Sequence, residues 1–131
     1  MIVVTAAVIV KDRKVFAARR GKGKHLEGCW EFPGGKLEQG ESPEECLRRE
    51  LVEEFGIDAQ VGNLVGESIY DYGNKVIRLI SYRVTHITGE FKLHDHDEIR
   101  WLSIENLMDV EWAPADIPLL ENVRKLLSAE K

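Results

Sequence analysis

Residues 35–57 have the sequence GKLEQGESPEECLRRELVEEFGI, which predicts a helix with a defined start and a defined end. Ser42 suits the N-cap and Pro43 the first helical position, and a glutamate three residues after Ser42 completes a capping box. Apolar side chains recur every four residues and form one buried stripe: Leu47, Leu51 and Phe55. Gly56 suits the position after the helix, where the backbone turns left-handed. We therefore predict a helix over residues 43–55.

The same helix carries three glutamates on one side. Glu50, Glu53 and Glu54 lie at positions i, i+3 and i+4, so their side chains project from one face. Most such acidic faces are solvated helix surfaces, and that is the alternative interpretation. The paired glycines Gly34 and Gly35 favour a functional one, because glycine lets the backbone approach another group closely. A backbone carbonyl beside several carboxylates is a hard-oxygen environment that suits magnesium or manganese.

Residues 35–57 also fit the pattern G-x5-E-x7-R-E-U-x-E-E-x-G-U without a mismatch, where U is a bulky aliphatic residue. In this segment the chain resembles the Nudix hydrolases. Two further segments, WEFPGG at 30–35 and APADIPLLE at 113–121, look like those of the MutT-like and CTP pyrophosphohydrolase-like branch. The resemblance implies an α/β (α+β) fold: the Nudix α/β/α sandwich, with a mixed β-sheet between helices and the box as loop-helix-loop. It also implies one domain over residues 1–131.

The resemblance further implies a metal site in the box. Glu50, Glu53 and Glu54 correspond to metal ligands, together with the carbonyl oxygen of Gly34. The expected ion is Mg²⁺, for which Mn²⁺ can substitute. Arg49 is expected to orient Glu50 by a charge-assisted hydrogen bond, and Arg49, Glu53 and Glu54 are the expected catalytic residues of the box. Structural roles around the site fall to three further residues: Gly35, Glu41 and Gly56.

An acid outside the box is expected to activate water or to bind a further metal, and the resemblance points to the segment HDHDE at 94–98. We favour Asp95 for activating water and place Glu98 second. A polar loop whose acids have no catalytic role is the alternative. His94 and His96 form an H-x-H pair, but without cysteine partners such a pair is a weak indication of zinc.

Three residues are predicted to contact the substrate. Arg20 is preferred to Arg19 as the phosphate-binding residue, because adjacent strand residues face opposite ways. Lys75 is a second candidate cation, with a solvated strand edge as its alternative. Asp116 is the candidate for reading the base, with helix capping as its alternative. An ionised aspartate only accepts hydrogen bonds, so it suits an amino group such as N4 of cytosine, and Asp116→Asn is expected to weaken a preference for CTP over 8-oxo-dGTP.

Outside the box, β-branched and alternating runs predict a mixed α/β architecture. Residues 2–10 and 15–19 are predicted to form a hairpin. Further extended segments are predicted at 30–32, 59–64, 67–72, 75–86, 91–93 and 99–103, with a short helix at 103–108 and a final helix at 117–129.

The composition limits the expected partners and compartment. The chain has 131 residues and a net charge of −5, so a nucleic acid polymer is not an expected partner, because phosphate contacts need a basic face. The apolar N-terminus is too short for a membrane span and lacks the basic region of a signal peptide. Cys29 and Cys46 are expected to be free thiols in the cytoplasm. We expect a monomer or homodimer without membrane contact.

The function implied by the resemblance is hydrolysis of a nucleoside triphosphate to a nucleoside monophosphate and pyrophosphate, in nucleotide-pool sanitation. The candidate substrates are 8-oxo-dGTP and CTP-type nucleotides. Two alternatives stay open. One is hydrolysis of another diphosphate, such as a nucleotide sugar, a dinucleoside polyphosphate or a capped RNA end. The other is a non-catalytic nucleotide-sensing module, which the complete set of box glutamates disfavours.

Overall fold

The computed structural model describes residues 1–129. Its strands and α-helices follow the chain in the order β1 (Ile2–Lys11), β2 (Lys14–Arg20), β3 (Trp30–Glu31), β4 (Gly34–Lys36), α1 (Pro43–Phe55), β5 (Asp58–Asp71), β6 (Val76–Thr88), β7 (His96–Leu102) and α2 (Leu120–Ala129). Two 3-10 turns, Ile104–Asp109 and Ile117–Leu119, precede α2.

The sheet is mixed and is built around β1. One edge of β1 pairs in parallel with β6, and β5 runs antiparallel on the outside of β6. The other edge is shared, because β4 pairs with Val4–Ala6 and β2 pairs with Val10 and Lys11. β3 and β7 then pair with β2. β2 and β4 therefore follow one another along the same edge of β1, and the sheet does not close.

Helices cover both faces of this sheet. On β1, Ala6 and Val8 belong to the buried cluster under α2, whereas Ala7 and Ile9 belong to the cluster under α1. A strand that is buried on both faces needs apolar side chains in both directions, and β1 provides them. The predicted α/β/α sandwich is confirmed.

The helix predicted at 43–55 has the expected bounds. The Ser42 hydroxyl accepts the backbone N–H of Glu45 at 3.1 Å, and the Glu45 carboxylate accepts the N–H of Ser42 at 2.8 Å. Gly56 ends the helix in the left-handed region, with φ of 68°. The apolar stripe is fully buried, so the periodicity in the sequence identified the correct face.

The strand predicted at 91–93 is wrong. Residues 89–95 form no strand. The Phe91 ring instead stacks on Phe16 at a centroid distance of 4.5 Å, and the N–H of Lys92 donates to the carbonyl of Phe55. The apolar residues of this segment therefore fill an aromatic cluster at the end of α1 rather than pairing with a neighbouring strand.

The extended segments predicted at 59–64 and 67–72 form one strand, β5, with bulges between Val61 and Gly66. The hydroxyl of Ser81 donates to the carbonyl of Gly66 at 2.7 Å, so a side chain satisfies a backbone group where the ladder is interrupted. The helices predicted at 103–108 and 117–129 also form. The first is a 3-10 turn, and the second begins as one before α2.

Two expectations about the whole chain can be compared with the structure. Cys29 and Cys46 are both free, as predicted. No helix among residues 1–129 is long and apolar enough to cross a membrane.

Candidate active site

Arg49 is the centre of the acidic face of α1. Its guanidinium binds Glu41 through two nitrogens, at 2.6 and 3.0 Å. It also donates to the carboxylates of Glu50 and Glu53, at 2.9 and 3.0 Å. The hydrogen bonds from Arg49 lower the pKa of Glu41 to about 2. A further bond to the carbonyl of Lys36, at 3.2 Å, ties the helix to β4.

Gly34 and Gly35 allow β4 to approach its neighbours more closely than other residues could. A Cβ on Gly34 would lie 1.9 Å from the carbonyl oxygen of Thr5, and one on Gly35 would lie 2.1 Å from a carboxylate oxygen of Glu50. Both distances are far below van der Waals contact, so a side chain at either position would displace its neighbour. Burial raises the pKa of Glu50, and the hydrogen bond from Arg49 opposes this shift.

Glu54 faces an acid from outside the box. Its carboxyl group shares a hydrogen bond with Asp95, and its Oε2 is buried without a hydrogen-bond partner within residues 1–129. Burial, followed by the hydrogen bond and charge of Asp95, raises the pKa of Glu54 to about 7. Lys24 Nζ lies 3.2 Å from Asp95 Oδ1, and the hydrogen bonds of Asp95 with Lys24 and Glu54 lower the pKa of Asp95.

The two candidates for activating water occupy different environments. Asp95 reaches the box, as described above. Glu98 lies in β7, where it pairs with Arg19 at 3.2 Å and with Arg100 at 3.0 Å. Asp97 pairs with the same Arg19 at 2.6 Å. Of the two candidates, Asp95 is the one that contacts a glutamate of the box.

His94 and His96 do not form a pair around a metal. His94 is exposed, whereas His96 is buried with its ring stacked on Phe55 at 5.2 Å. The Nε2 of His96 lies 2.8 Å from a carboxylate oxygen of Glu31. Within residues 1–129, no three His, Cys, Asp or Glu side chains already surround one metal position.

The box nevertheless fits a hard cation in its chemistry. Its donors are carboxylates with backbone carbonyls nearby, the oxygen ligands that Mg²⁺ prefers. The buried, unpartnered Oε2 of Glu54 needs a proton or a cation, because an unpaired buried charge is costly. The Glu50 carboxylate fills the space beside Gly35 where a Cβ would lie. The side chains that would hold the ion are Glu50, Glu53 and Glu54.

A cavity of about 150 Å³ is lined in part by the buried cluster under α2, and it brings together the three residues predicted to bind substrate: Arg20, Lys75 and Asp116. Its other walls are formed by Val4, His25, Leu26, Glu31, Tyr72, Ile77, Leu79, Ala113 and Ala115. The cavity is thus largely apolar, with a few polar groups, as is usual for sites that bind small molecules.

Arg20 is already engaged by an acid in this cavity. One of its nitrogens lies 3.1 Å from each carboxylate oxygen of Glu31, and its Nε donates to the carbonyl of His25. Because Glu31 also contacts His96, it links the cavity to the base of the loop that carries Asp95. A phosphate group approaching Arg20 would have to compete with Glu31.

Glu31 and Tyr72 had no role assigned from the sequence. The only sequence signal for Glu31 is its place in the WEFPGG segment, and Tyr72 is the last residue of the extended segment predicted at 67–72. The hydroxyl of Tyr72 accepts the N–H of Ala115 at 3.0 Å, and its ring meets His25 edge to face at 5.4 Å. Ser68 donates to the Ala115 carbonyl at 2.6 Å. Ser68 of β5 and Tyr72, the residue after β5, thus hold the loop that carries Asp116.

Asp116 is only 4% exposed, and its side chain makes no capping hydrogen bond to the following turn. The capping alternative is therefore wrong. The carboxyl group instead accepts the backbone N–H of Phe32, and burial, followed by the charge of Glu31, raises the pKa of Asp116 well above its usual value. These shifts favour a neutral carboxyl, which donates as well as accepts. For a neutral carboxyl the expected preference for an amino group no longer follows, because such a carboxyl and an asparagine amide both offer a donor and an acceptor.

A model of the NUDIX domain matches residues 1–123. The chain belongs to the Nudix family. The CTP pyrophosphohydrolase of Escherichia coli (strain K12) is 40% identical over 129 residues, which cover 98% of this chain and 96% of that relative. The putative 8-oxo-dGTP diphosphatase 2 of Mycobacterium tuberculosis (strain ATCC 25618 / H37Rv) is 37% identical over 129 residues, covering 96% and 90%. The solution structure of the E. coli ORF135 protein has a TM-score of 0.87 at 40% identity, covering 99% and 93%.

The family resemblance based on residues 35–57 is thus confirmed, and the protein is a Nudix hydrolase. The names of its relatives include both a CTP pyrophosphohydrolase and 8-oxo-dGTP diphosphatases. The names therefore agree on cleavage of a phosphate anhydride and differ in the base of the nucleotide.

Asp116 should make the stability of the Nudix fold depend on pH. Because its folded-state pKa is raised, the folded protein binds this proton more tightly than the unfolded chain. The contribution of Asp116 to the free energy of unfolding should therefore fall as pH rises above about 4, by up to about 1.4 kcal/mol per pH unit, until the folded-state pKa is passed. Asp116→Asn removes this loss, so its stability relative to the wild type should increase with pH.

Urea unfolding of both proteins at pH 4.5, 6 and 7.5 measures this difference. Asp109→Asn, which changes an exposed aspartate, is the matched control, and its difference from the wild type should stay constant. A difference between Asp116→Asn and the wild type that does not change with pH would contradict a raised pKa for Asp116.

Proposed function

We propose that this Nudix hydrolase is a magnesium-dependent nucleoside triphosphate pyrophosphohydrolase, which converts NTP and water to NMP and pyrophosphate. The observation that carries the proposal is a helix face with three glutamates that is joined, through Asp95 and the loop of Lys24 and His25, to a small pocket with buried Asp116 in its wall. The hydrogen bond between Glu54 and Asp95 supports it further, because it brings an acid from another loop to the same face. CTP-type nucleotides and 8-oxo-dGTP are the proposed substrates, and nucleotide-pool sanitation is the proposed role.

The charged side chains of the site have separate proposed roles in this reaction. Magnesium, when bound by Glu50, Glu53 and Glu54, supplies charge neutralisation for the phosphate oxygens and the leaving pyrophosphate. Arg49 keeps Glu50 and Glu53 oriented, since it donates to both carboxylates. Asp95 takes the proton of the attacking water onto its carboxylate, while the water oxygen bonds to phosphorus and the bridging P–O bond breaks.

Asp116 is the proposed contact to the base. A neutral carboxyl presents an O–H donor beside a carbonyl acceptor. Cytosine offers the complementary pair, the acceptor N3 beside the N4 amino donor, and an oxidised guanine also offers an N–H donor beside the O6 acceptor. Because both bases offer a donor beside an acceptor, a neutral Asp116 carboxyl supports both substrate classes, in keeping with the names of the two kinds of relative.

A nucleotide panel with the wild-type protein tests the proposal. CTP, dCTP, 5-methyl-dCTP and 8-oxo-dGTP are compared with a nucleotide sugar and a dinucleoside polyphosphate, using phosphate release with added pyrophosphatase. We expect triphosphates to give pyrophosphate in magnesium and no turnover in EDTA. Glu53→Gln and Glu54→Gln should lower kcat by roughly 10²–10⁴-fold, because each removes a charge from the metal site.

Glu44→Gln is the matched control, because Glu44 is an exposed acid in the first turn of the same helix, and it should keep the wild-type kcat. Full turnover in EDTA, or turnover confined to the nucleotide sugar or the dinucleoside polyphosphate, would refute the proposed reaction. Wild-type kcat in both glutamine variants would refute the assigned ligands.

Asp95 and Glu98 should differ when each is neutralised. Asp95→Asn removes the proposed proton acceptor, so kcat should fall by about 10²-fold or more. Glu98→Gln breaks exposed ion pairs with Arg19 and Arg100, which contribute little, so kcat should stay within about twofold of the wild type. If both variants keep more than half of the wild-type kcat in steady-state assays, the proton acceptor lies elsewhere.

A further inference from the structure

Lys24 lies on a loop that borders both the acidic face and the pocket. The loop includes residues 21–28 and lies between β2 and β3. The Lys24 ammonium lies 3.2 Å from Oδ1 of Asp95, the acid that reaches the box. The next two residues, His25 and Leu26, line the pocket. A nucleotide with its base in the pocket and its phosphates at the α1 glutamates would therefore pass close to this ammonium.

The backbone fixes the start of this loop against Asp95. The N–H of Gly21 donates to the Asp95 carbonyl at 3.0 Å, and the Gly21 carbonyl accepts the N–H of Lys24 at 3.2 Å. A Cβ on Gly21 would lie 2.7 Å from the Asp95 carbonyl oxygen, so the close approach depends on glycine at this position. The backbone of Lys24 is thus held near the acidic face, while its long side chain keeps several rotatable bonds.

The cations of the site differ in how firmly they are held. Arg49 binds Glu41 through two nitrogens, and Arg20 contacts both carboxylate oxygens of Glu31. The ion pair of Lys24 with Asp95 is different, because the two side chains are 47% and 49% exposed. An ion pair this exposed is weak, so the Lys24 ammonium can leave Asp95 for another anion at little cost in free energy.

A bound polyphosphate would add negative charge beside an already acidic face. Unlike Arg49 and Arg20, Lys24 can move toward it without breaking a two-nitrogen or two-oxygen clamp. We propose that Lys24 is a substrate-binding residue whose ammonium is held by Asp95 in the free protein and passes to the phosphate chain when a nucleoside triphosphate binds. This inference rests on the proposed function, because it takes the triphosphate as the ligand.

The test compares two ligands that share a base and a sugar. One is the α,β-methylene analogue of CTP, whose bridging carbon resists cleavage, and the other is cytidine, which has no phosphate. In magnesium buffer, Lys24→Met should bind the analogue about tenfold or more weakly than the wild type, as expected for loss of a charged hydrogen bond, and should bind cytidine unchanged. Lys24→Arg should stay within about threefold for both ligands, with all affinities measured by NMR titration.

Lys22→Met is the matched control, since Lys22 is an exposed lysine of the same loop, and it should bind both ligands like the wild type. Wild-type affinity of Lys24→Met for the analogue would overturn the inference. Equal losses of affinity for both ligands in Lys24→Met would also overturn it, because they would indicate a structural role. An equal loss of affinity for the analogue in Lys22→Met would overturn it as well, because it would indicate that any positive charge on the loop contributes.

Turnover of CTP by the wild type, measured in parallel, separates this inference from the proposed function. Binding of the analogue that depends on Lys24, without turnover, would support the inference and contradict the proposed reaction. Turnover with unchanged binding in Lys24→Met would do the reverse. A wild type that binds no triphosphate would overturn both.

Discussion

The hydrogen bonds of the Arg49 guanidinium are the interaction on which the rest of the site depends. Like charges at i, i+3 and i+4 on one helix repel each other, and α1 carries three of them on the face that meets β4. Arg49 offsets this repulsion by donating to Glu50 and Glu53 while it holds Glu41 in the preceding loop. A lysine could not replace it, because only the planar guanidinium offers several donors in fixed directions. The docking of Glu50 against Gly35 follows from the same arrangement.

The acidic face and the pocket, which form the two ends of the site, are built from different parts of the fold. The acidic face comes from one continuous segment, so its geometry is set by helix periodicity and by local loop contacts. The pocket comes from strands and loops that are far apart in the chain, including β3, the end of β5 and the loop before α2. Asp95 and the 21–28 loop connect the two ends. This division explains how relatives within one family can carry the names of different substrates, since the pocket can change without altering residues 35–57.

The same division explains what could be predicted from the sequence. The helix at 43–55, its caps and its acidic face could be predicted because they depend on residues within a few positions of one another. The strand at 91–93 was mispredicted because Phe91 packs on Phe16, a distant contact that gives no periodic signal. The clamp of Glu31 on Arg20 and the pairing of Lys24 with Asp95 also depend on the paths of loops. The raised pKa of Asp116 could not be foreseen, because it follows from burial that only the packed fold creates.

Paramagnetic broadening by Mn²⁺ in ¹⁵N-resolved NMR spectra of the wild-type protein tests most directly whether the acidic face of α1 binds a divalent metal beside Asp95. Amide signals nearest the ion disappear first as Mn²⁺ is added. Binding at this face predicts early loss at Gly34, Gly35, residues 50–54 and Asp95, with weaker loss at these positions in Glu54→Gln. Loss centred on other acidic residues, or broadening with no preference for these positions, would contradict it.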